Sequence, residues 1–371
     1  MRVLNQGNET VPRLLAALGS ALLLGLILVP GLPGKGFAVT EDEQNNIEVY
    51  RAVAPAVVNI TSISVERDFF FNIVPRQGTG SGCIINPEGY ILTNHHVIED
   101  AQRLEVTLAD GSKWPGKLVG TDPDSDLAVI KIEAPRERLV SLPMGDSNTL
   151  LVGQKVLAIG NPFGLGQTLS TGVVSSLKRT LRARNGVLME DIVQTDASIN
   201  PGNSGGALLD SSGRLIGVNT AIFSPTGASV GIGFAIPVST AKRLVPELIA
   251  KGYYAYPWIG ATVTTLVPED ARVVGLAADR GALIVETVRS GPAAKAGLQG
   301  GTRRVRVGNR IIILGGDVVV AIDGRKLETA DDLINTIREK RPGDTITLEV
   351  YRGGLQRDRL QVLLEERPRQ R

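Results

Sequence analysis

Ser204 lies in Gly202-Asn203-Ser204-Gly205-Gly206, a serine with glycine or small residues on both sides. Such a turn suits a nucleophile. Gly202 lets the backbone bend so that neighbouring N–H groups point one way, and Gly205 and Gly206 leave a substrate room to approach the hydroxyl. The run continues into Ala207-Leu208-Leu209 and, past a Ser-Ser-Gly turn, Leu215-Ile216-Gly217-Val218. This predicts a loop hung between strands, not a strand-to-helix nucleophile elbow. Taken alone, the pentapeptide fits an ordinary glycine-rich hairpin equally well. A serine nucleophile also needs a base, and the chain has 2 histidines, His95 and His96. They follow the apolar stretch Tyr90-Ile91-Leu92 in a polar turn, with Val97-Ile98 returning to the core. Successive side chains alternate, as along a strand, so one ring can face a site while the other faces away. An orienting carboxylate is available in Asp122-Pro123-Asp124-Ser125-Asp126-Leu127. Asp126 abuts an apolar strand and is expected to be buried. Asp122 and Asp124, around a proline turn, are expected to be solvated.

The resulting order, His96, Asp126, Ser204, is that of chymotrypsin-type proteases. Thr93-Asn94-His95-His96-Val97, Ser125-Asp126-Leu127-Ala128-Val129 and Gly202-Asn203-Ser204-Gly205-Gly206 resemble the three signatures of the HtrA/Deg family of serine proteases. That family's Thr-Asn-x-His-Val pattern selects His96 over His95. Gly160-Asn161-Pro162-Phe163-Gly164 and Gly233-Phe234-Ala235-Ile236-Pro237 match as well, within a similarity running from about residue 47 to 366. The resemblance implies a mainly β chain: a chymotrypsin-like double β-barrel protease domain over 39–252, then one α/β PDZ domain over 253–366. Ser204 would attack the peptide carbonyl, His96 would take its proton and Asp126 would hold the imidazole tautomer. Gly202, Asn203 and Ser204 would form the oxyanion hole, whose donors are worth about 3–4 kcal/mol each. Ser198, six residues before the nucleophile, would floor the primary pocket, with Ile199, Ile232, Gly233 and Phe234 as its wall. The slot would be shallow and uncharged, suited to small or medium aliphatic side chains.

The resemblance also implies an ATP-independent endopeptidase of extracytoplasmic protein quality control, acting on unfolded or misfolded polypeptides and assembled as a homotrimer or multiples of one. Aromatics such as Phe69, Phe70 and Phe71 would pack the protomers together. A different class of function is a peptide-binding chaperone or scaffold with vestigial proteolysis. All three groups being present weighs against it, because a pure binder has no use for them. No motif suggests a metal, a cofactor or a nucleic-acid partner.

The rest of the chain must position these groups. Its 371 residues suit two domains, and a net charge of +2 favours no polyanionic partner. Aromatics are sparse at 4% while Gly reaches 43 residues, which fits many short strands and tight turns. A single cysteine, Cys83, excludes an intramolecular disulfide and reads as a buried strand position. In residues 1–38, Arg2 and Arg13 precede the apolar run Leu14 to Val29 and a small-residue ending at Gly36-Phe37-Ala38. This reads as an export signal, either cleaved or retained as a membrane anchor. Helical spacing is predicted for Glu41 to Val57, ending at Pro55, and for Val238 to Lys251. Between them, short strands at Val58–Ile63, Arg103–Leu108, Trp114–Val119, Leu127–Ile132, Lys155–Ile159, Thr171–Leu177 and Ile192–Thr195 read as a sandwich or barrel.

Tyr253-Tyr254-Ala255-Tyr256-Pro257 marks the boundary. Beyond it, Trp258-Ile259-Gly260-Ala261, Ser290-Gly291-Pro292-Ala293 and Gly315-Gly316-Asp317-Val318 resemble a PDZ domain. Trp258, Ile259, Gly260 and Ala261 would be its carboxylate loop, binding C-terminal peptides. A helix is expected from Asp331 to Arg341, with Leu333, Ile334 and Ile337 facing inward, and last strands at 345–351 and 360–364. Residues 299–314, with Arg303, Arg304, Arg306 and Arg310, are longer and more basic than a PDZ link requires and read as a solvated loop. Residues 367–371 form a charged tail.

Overall fold

The computed structural model describes residues 39–67, 73–182, 186–220, 231–307, 310–353 and 355–368. The apolar run before residue 39 and the Phe69–Phe71 cluster lie outside the described residues. No helix among the described residues is long and apolar enough to cross a membrane.

Thr40 starts helix α1 (Glu41–Val53): its hydroxyl accepts from the Glu43 N–H while the Glu43 carboxylate accepts from Thr40, and acids fill the first turn. This capping box and the macrodipole act together. The helix gives way at Pro55 to a 3-10 turn, Ala54–Ala56. It buries Val49 and Val53 against the core beneath the barrels.

Strands β1 (Val57–Arg67), β2 (Ile73–Ile84), β3 (Tyr90–Thr93), β4 (Arg103–Thr107), β5 (Lys113–Asp122) and β6 (Leu127–Lys131) close one antiparallel barrel in the order β1-β2-β3-β6-β5-β4. Strands β7 (Lys155–Gly160), β8 (Thr168–Arg182), β9 (Leu188–Thr195), β10 (Ala207–Asp210), β11 (Leu215–Thr220) and β12 (Gly233–Pro237) close a second, in the order β10-β11-β12-β9-β8-β7. Closure leaves no edge strand, and each interior fills with branched aliphatic side chains. Ile60, Ile84, Ile91 and Ile130 pack in the first, and Val156, Val174, Val193 and Ile216 in the second. A shared core joins them, where Leu92, Leu127 and Val129 meet Leu157, Ile159 and Val218. The one-turn helix α2 (His95–Ile98) follows β3, and α3 (Val238–Lys251) covers the seam with fully buried Ala241, Leu244 and Leu248.

After α3 come β13 (Pro257–Trp258), β14 (Ala261–Leu266), α4 (Pro268–Val274), β15 (Gly281–Thr287), α5 (Pro292–Lys295), β16 (Arg303–Val307) and β17 (Arg310–Leu314). The chain continues through β18 (Val318–Ile322), β19 (Arg325–Lys326), α6 (Ala330–Arg338), β20 (Thr345–Arg352), β21 (Gln356–Leu363) and β22 (Glu365–Glu366). The main sheet runs β14-β15-β18-β20-β21, leaving β14 at an edge beside α6. On α6, Ala330, Leu333, Thr336 and Ile337 are buried, whereas Ile334 is 37% exposed. Ile334 therefore does not face inward as expected. A step of one residue turns it about 100° from the Leu333 face. The basic stretch is a second departure: β16 and β17 pair as a hairpin in place of a loop, anchored by buried Leu314. Arg303, Arg304 and Arg306 are exposed, as solvation required.

Candidate active site

His96 lies on α2, directly after β3, because the chain turns out of the barrel at Asn94. Its Nδ1 is 2.8 Å from Asp126 Oδ2 and 2.9 Å from Oδ1. The His96 backbone N–H also donates to Asp126 Oδ1 at 3.0 Å. Ring and backbone are thus held by one carboxylate, which fixes Nδ1 as the protonated nitrogen and leaves Nε2 as the basic one. Asp126 itself has φ +55, a left-handed conformation that aspartate tolerates better than most residues. Its carbonyl takes the His95 N–H at 3.1 Å and Asn94 Nδ2 at 3.0 Å, bonds that hold this conformation. Thr220 Oγ1, at the end of β11, donates to Asp126 Oδ2 at 3.0 Å.

His95 turns away. Its Nδ1 is 2.7 Å from Thr121 Oγ1. The pair therefore diverges by the rotation of a helical turn, not by strand alternation as the sequence suggested.

Ser204 reaches the same seam from the second barrel. A Cβ on Gly205 would come within 2.3 Å of Thr93 Oγ1 and 3.2 Å of the Asn94 N, so the residue after Ser204 lies directly against the segment that leads into His96. Gly202 has φ +92 at the third position of a turn closed by Asn203 N–H to Asn200 O at 2.9 Å, with Pro201 before it. Glycine is required there, as in a type II turn. This corrects one expectation: the Asn203 N–H is already used inside the turn and cannot donate to an oxyanion. Among the described residues, the buried N–H groups of Gly202 and Ser204 have no partner, which leaves two donors for a developing negative charge.

Around the primary pocket, Ser198 is exposed, Ile232 is 41% exposed, and Phe234 and Ile199 are buried. Ile199 has no accessible surface, and a Cβ on Gly233 would lie 2.9 Å from its Cδ1. It lies buried behind Gly233 and is not a wall that a substrate could touch. Residues 221–230 lie outside the described residues.

Asp122 and Asp124 are not solvated. Asp122 is 4% exposed and takes Ser125 Oγ at 2.5 Å, Ser125 N–H at 3.1 Å and Tyr256 OH at 2.7 Å, all on Oδ2. Burial pushes its carboxyl above the ordinary aspartate range, against the lowering effect of these donors. The same surroundings push the Tyr256 phenol up. Arg367 pairs with Asp124 at 2.6 Å and lies 5.0 Å over the Tyr256 ring. The linker and the tail cover the turn, which no local pattern reveals. Two further contacts join the halves: Asn335 Nδ2 to Glu190 Oε1 at 2.6 Å, and Arg338 Nη1 to Leu188 O at 2.9 Å. Cys83 is buried, which pushes its thiol up and leaves it unreactive.

At the far end, the carbonyl of Ile259 accepts from Ala293 N–H at 2.7 Å and that of Gly260 from Val288 N–H at 2.9 Å. In trans peptides the following N–H groups, of Gly260 and Ala261, then point the opposite way. Trp258 belongs to β13, paired with β22, and Ile259 is buried.

The family model for a trypsin-like peptidase domain matches residues 80–218, and that for a PDZ domain matches 257–362. "Protease Do-like 1, chloroplastic" of Arabidopsis thaliana is 44% identical over 330 residues, 88% of this chain and 73% of that protein. A "Probable periplasmic serine endoprotease DegP-like" of Brucella suis is 43% identical over 273 residues, 74% of this chain but only 50% of the relative. Among solved structures, "HtrA-type protease AlgW with decapeptide" aligns at TM-score 0.74 and 36% identity, covering 88% of this chain and 99% of that one. The two barrels, the seam that carries His96, Asp126 and Ser204, and these relatives agree: the chain belongs to the HtrA/Deg family of PDZ-bearing serine proteases.

Proposed function

We propose that Ser204, His96 and Asp126 form the catalytic triad of an endopeptidase acting on unfolded or misfolded polypeptides outside the cytoplasm. Ser204 Oγ attacks the peptide carbonyl carbon while His96 Nε2 takes its proton. Asp126 accepts the Nδ1–H and stabilises the imidazolium. The carbonyl oxygen becomes an oxyanion held by the Gly202 and Ser204 N–H groups. Collapse of the tetrahedral species breaks the C–N bond, and His96 returns its proton to the departing amine. Water then repeats the sequence on the acyl ester. The observation that carries this reading is the double hold of Asp126 on His96, through ring and backbone together.

The domain division is part of the proposal: protease over 39–252 and PDZ over 253–366, the latter adding a C-terminal peptide as a strand on β14. The free edge of β14 and the N–H groups of Gly260 and Ala261 support it. Ser198 carries no charge, so cleavage should follow Val or Ala and not Lys or Arg, whose cation would be buried unpaired. A homotrimer and an extracytoplasmic location rest on the family, some of whose members are named periplasmic. The deciding experiment is a casein digest with the purified chain beside Ser204→Ala. Fragments from the wild type alone support the triad. Binding without cleavage by the wild type would leave the scaffold reading in its place. Sedimentation of the same sample tests the trimer.

A further inference from the structure

We infer that Ser81, in the first barrel, is a positioning residue for the oxyanion hole in the second, setting the direction of the Gly202 N–H. This rests on the reading of Ser204 as nucleophile. Ser81 has no accessible surface, and every polar atom it carries is engaged. Its Oγ donates to the Gly202 carbonyl at 2.7 Å and accepts from the Asn161 N–H at 2.8 Å. Its N–H donates to the Ser204 carbonyl at 2.8 Å, and its own carbonyl accepts from Thr93 Oγ1 at 2.7 Å. One residue therefore holds the carbonyls of both residues whose N–H groups face the reaction.

Tracing the loop peptide by peptide shows why the hydroxyl matters. The 202–203 peptide is held at its oxygen by Ser81 Oγ and at its N–H by the Asn200 carbonyl. The 203–204 peptide is held at its oxygen by the Gly206 N–H, and the 204–205 peptide by Ser81 N–H at one end and the Asn219 carbonyl at the other. Only the 201–202 peptide, which supplies the Gly202 N–H, has neither end bonded among the described residues. Its direction is set by rotation at Gly202, the residue with the broadest conformational freedom in the turn. Fixing the next peptide plane from outside the loop is what confines that rotation, and Ser81 Oγ is the group that does so. Asn161, which presents its N–H to the same hydroxyl, is in turn held by Asn59 Nδ2 on its carbonyl at 2.8 Å. The clamp thus runs Asn59, Asn161, Ser81, Gly202, from one barrel to the other. An oxyanion hole works by having its donors aimed before charge develops, so a loosened Gly202 N–H should slow the chemical step more than it weakens substrate binding.

The test uses the purified full chain, a quenched fluorogenic peptide with Val at the cleaved bond, and a peptide boronic acid that forms a tetrahedral adduct. Ser81→Ala should lower kcat about 10- to 100-fold, with KM within about twofold of wild type. Affinity for the boronic acid should fall by a similar factor. Binding of the uncleaved peptide in a Ser204→Ala background should not change when Ser81→Ala is added. Recovery of kcat in Ser81→Thr, which keeps the hydroxyl, would support the same reading. A folded Ser81→Ala with wild-type kcat overturns the proposal, as does a loss of kcat matched by an equal loss of peptide binding. If Ser81→Ala does not fold, Ser81→Cys decides: it is nearly isosteric but a weak donor, so reduced kcat at constant KM supports the clamp and wild-type kcat overturns it. Activity surviving in Ser204→Ala would sink the triad instead, so the two failures are distinguishable.

Discussion

The Tyr256 hydroxyl donates to Asp122 Oδ2 at 2.7 Å, joining the linker between the domains to the turn that carries Asp126. Tyr256→Phe would strip one donor from a buried carboxylate and leave the ring packing in place. A loss of about 1–2 kcal/mol in unfolding free energy at neutral pH is expected. Urea denaturation of the two proteins measures it, and equal midpoints would show the bond to be energetically idle.

Asp122 also predicts a pH dependence. Its folded-state pKa is raised, chiefly by burial, so the folded protein holds that proton more tightly than the unfolded chain. The associated stability is complete below about pH 4 and is lost as pH rises through the higher, folded value. Asp122→Asn removes the titration. Its stability should change less between pH 4 and 7 than that of the wild type, and parallel profiles would refute the assignment.

Within the histidine pair, His96→Ala should abolish hydrolysis, as should Asp126→Ala and Ser204→Ala, because the three groups act as a unit. His95→Ala should keep kcat and lose only the stability of its bond to Thr121. Hydrolysis of a fluorogenic peptide separates the two: an inactive His95→Ala beside an active His96→Ala would reverse the choice.

Thr220→Val keeps the shape of a buried residue and removes the third donor to Asp126. Roughly a tenfold fall in kcat is expected, the equivalent of about 1.4 kcal/mol from a hydrogen bond to a charged group. Hydrolysis of a fluorogenic peptide measures it, and an unchanged kcat would remove Thr220 from the site.

At the PDZ domain, amidating the C-terminus of a bound peptide should weaken binding at least tenfold, since the carboxylate is the group that the Gly260 and Ala261 N–H groups can take. Calorimetry with matched free-acid and amide peptides decides it, and equal affinities would exclude this loop.

What the sequence determined by itself was local or short-range. Apolar alternation and glycine placement depend on neighbours a few residues apart, so most barrel strands, α1 and α3 were legible, as was the turn at Ser204. His96 could be singled out because the chain has only 2 histidines, and Asp126 and Ser204 because their motifs tie them chemically to such a base. Tertiary structure decided the rest. Burial of Asp122 comes from Tyr256, 134 residues away, and the hold on Gly202 comes from Ser81, 121 residues away. Neither pairing leaves a periodic mark, since a buried hydrogen bond constrains only two positions whose separation the chain's path sets. The resemblance placed Asn203 in the oxyanion hole beside Gly202 and Ser204, and only the direction of its N–H toward Asn200 excludes it. Ile199 and Ile334 were placed on the wrong side of their surfaces for the same reason. Residue type gives the tendency to bury, but the packing of neighbouring elements decides which face is covered.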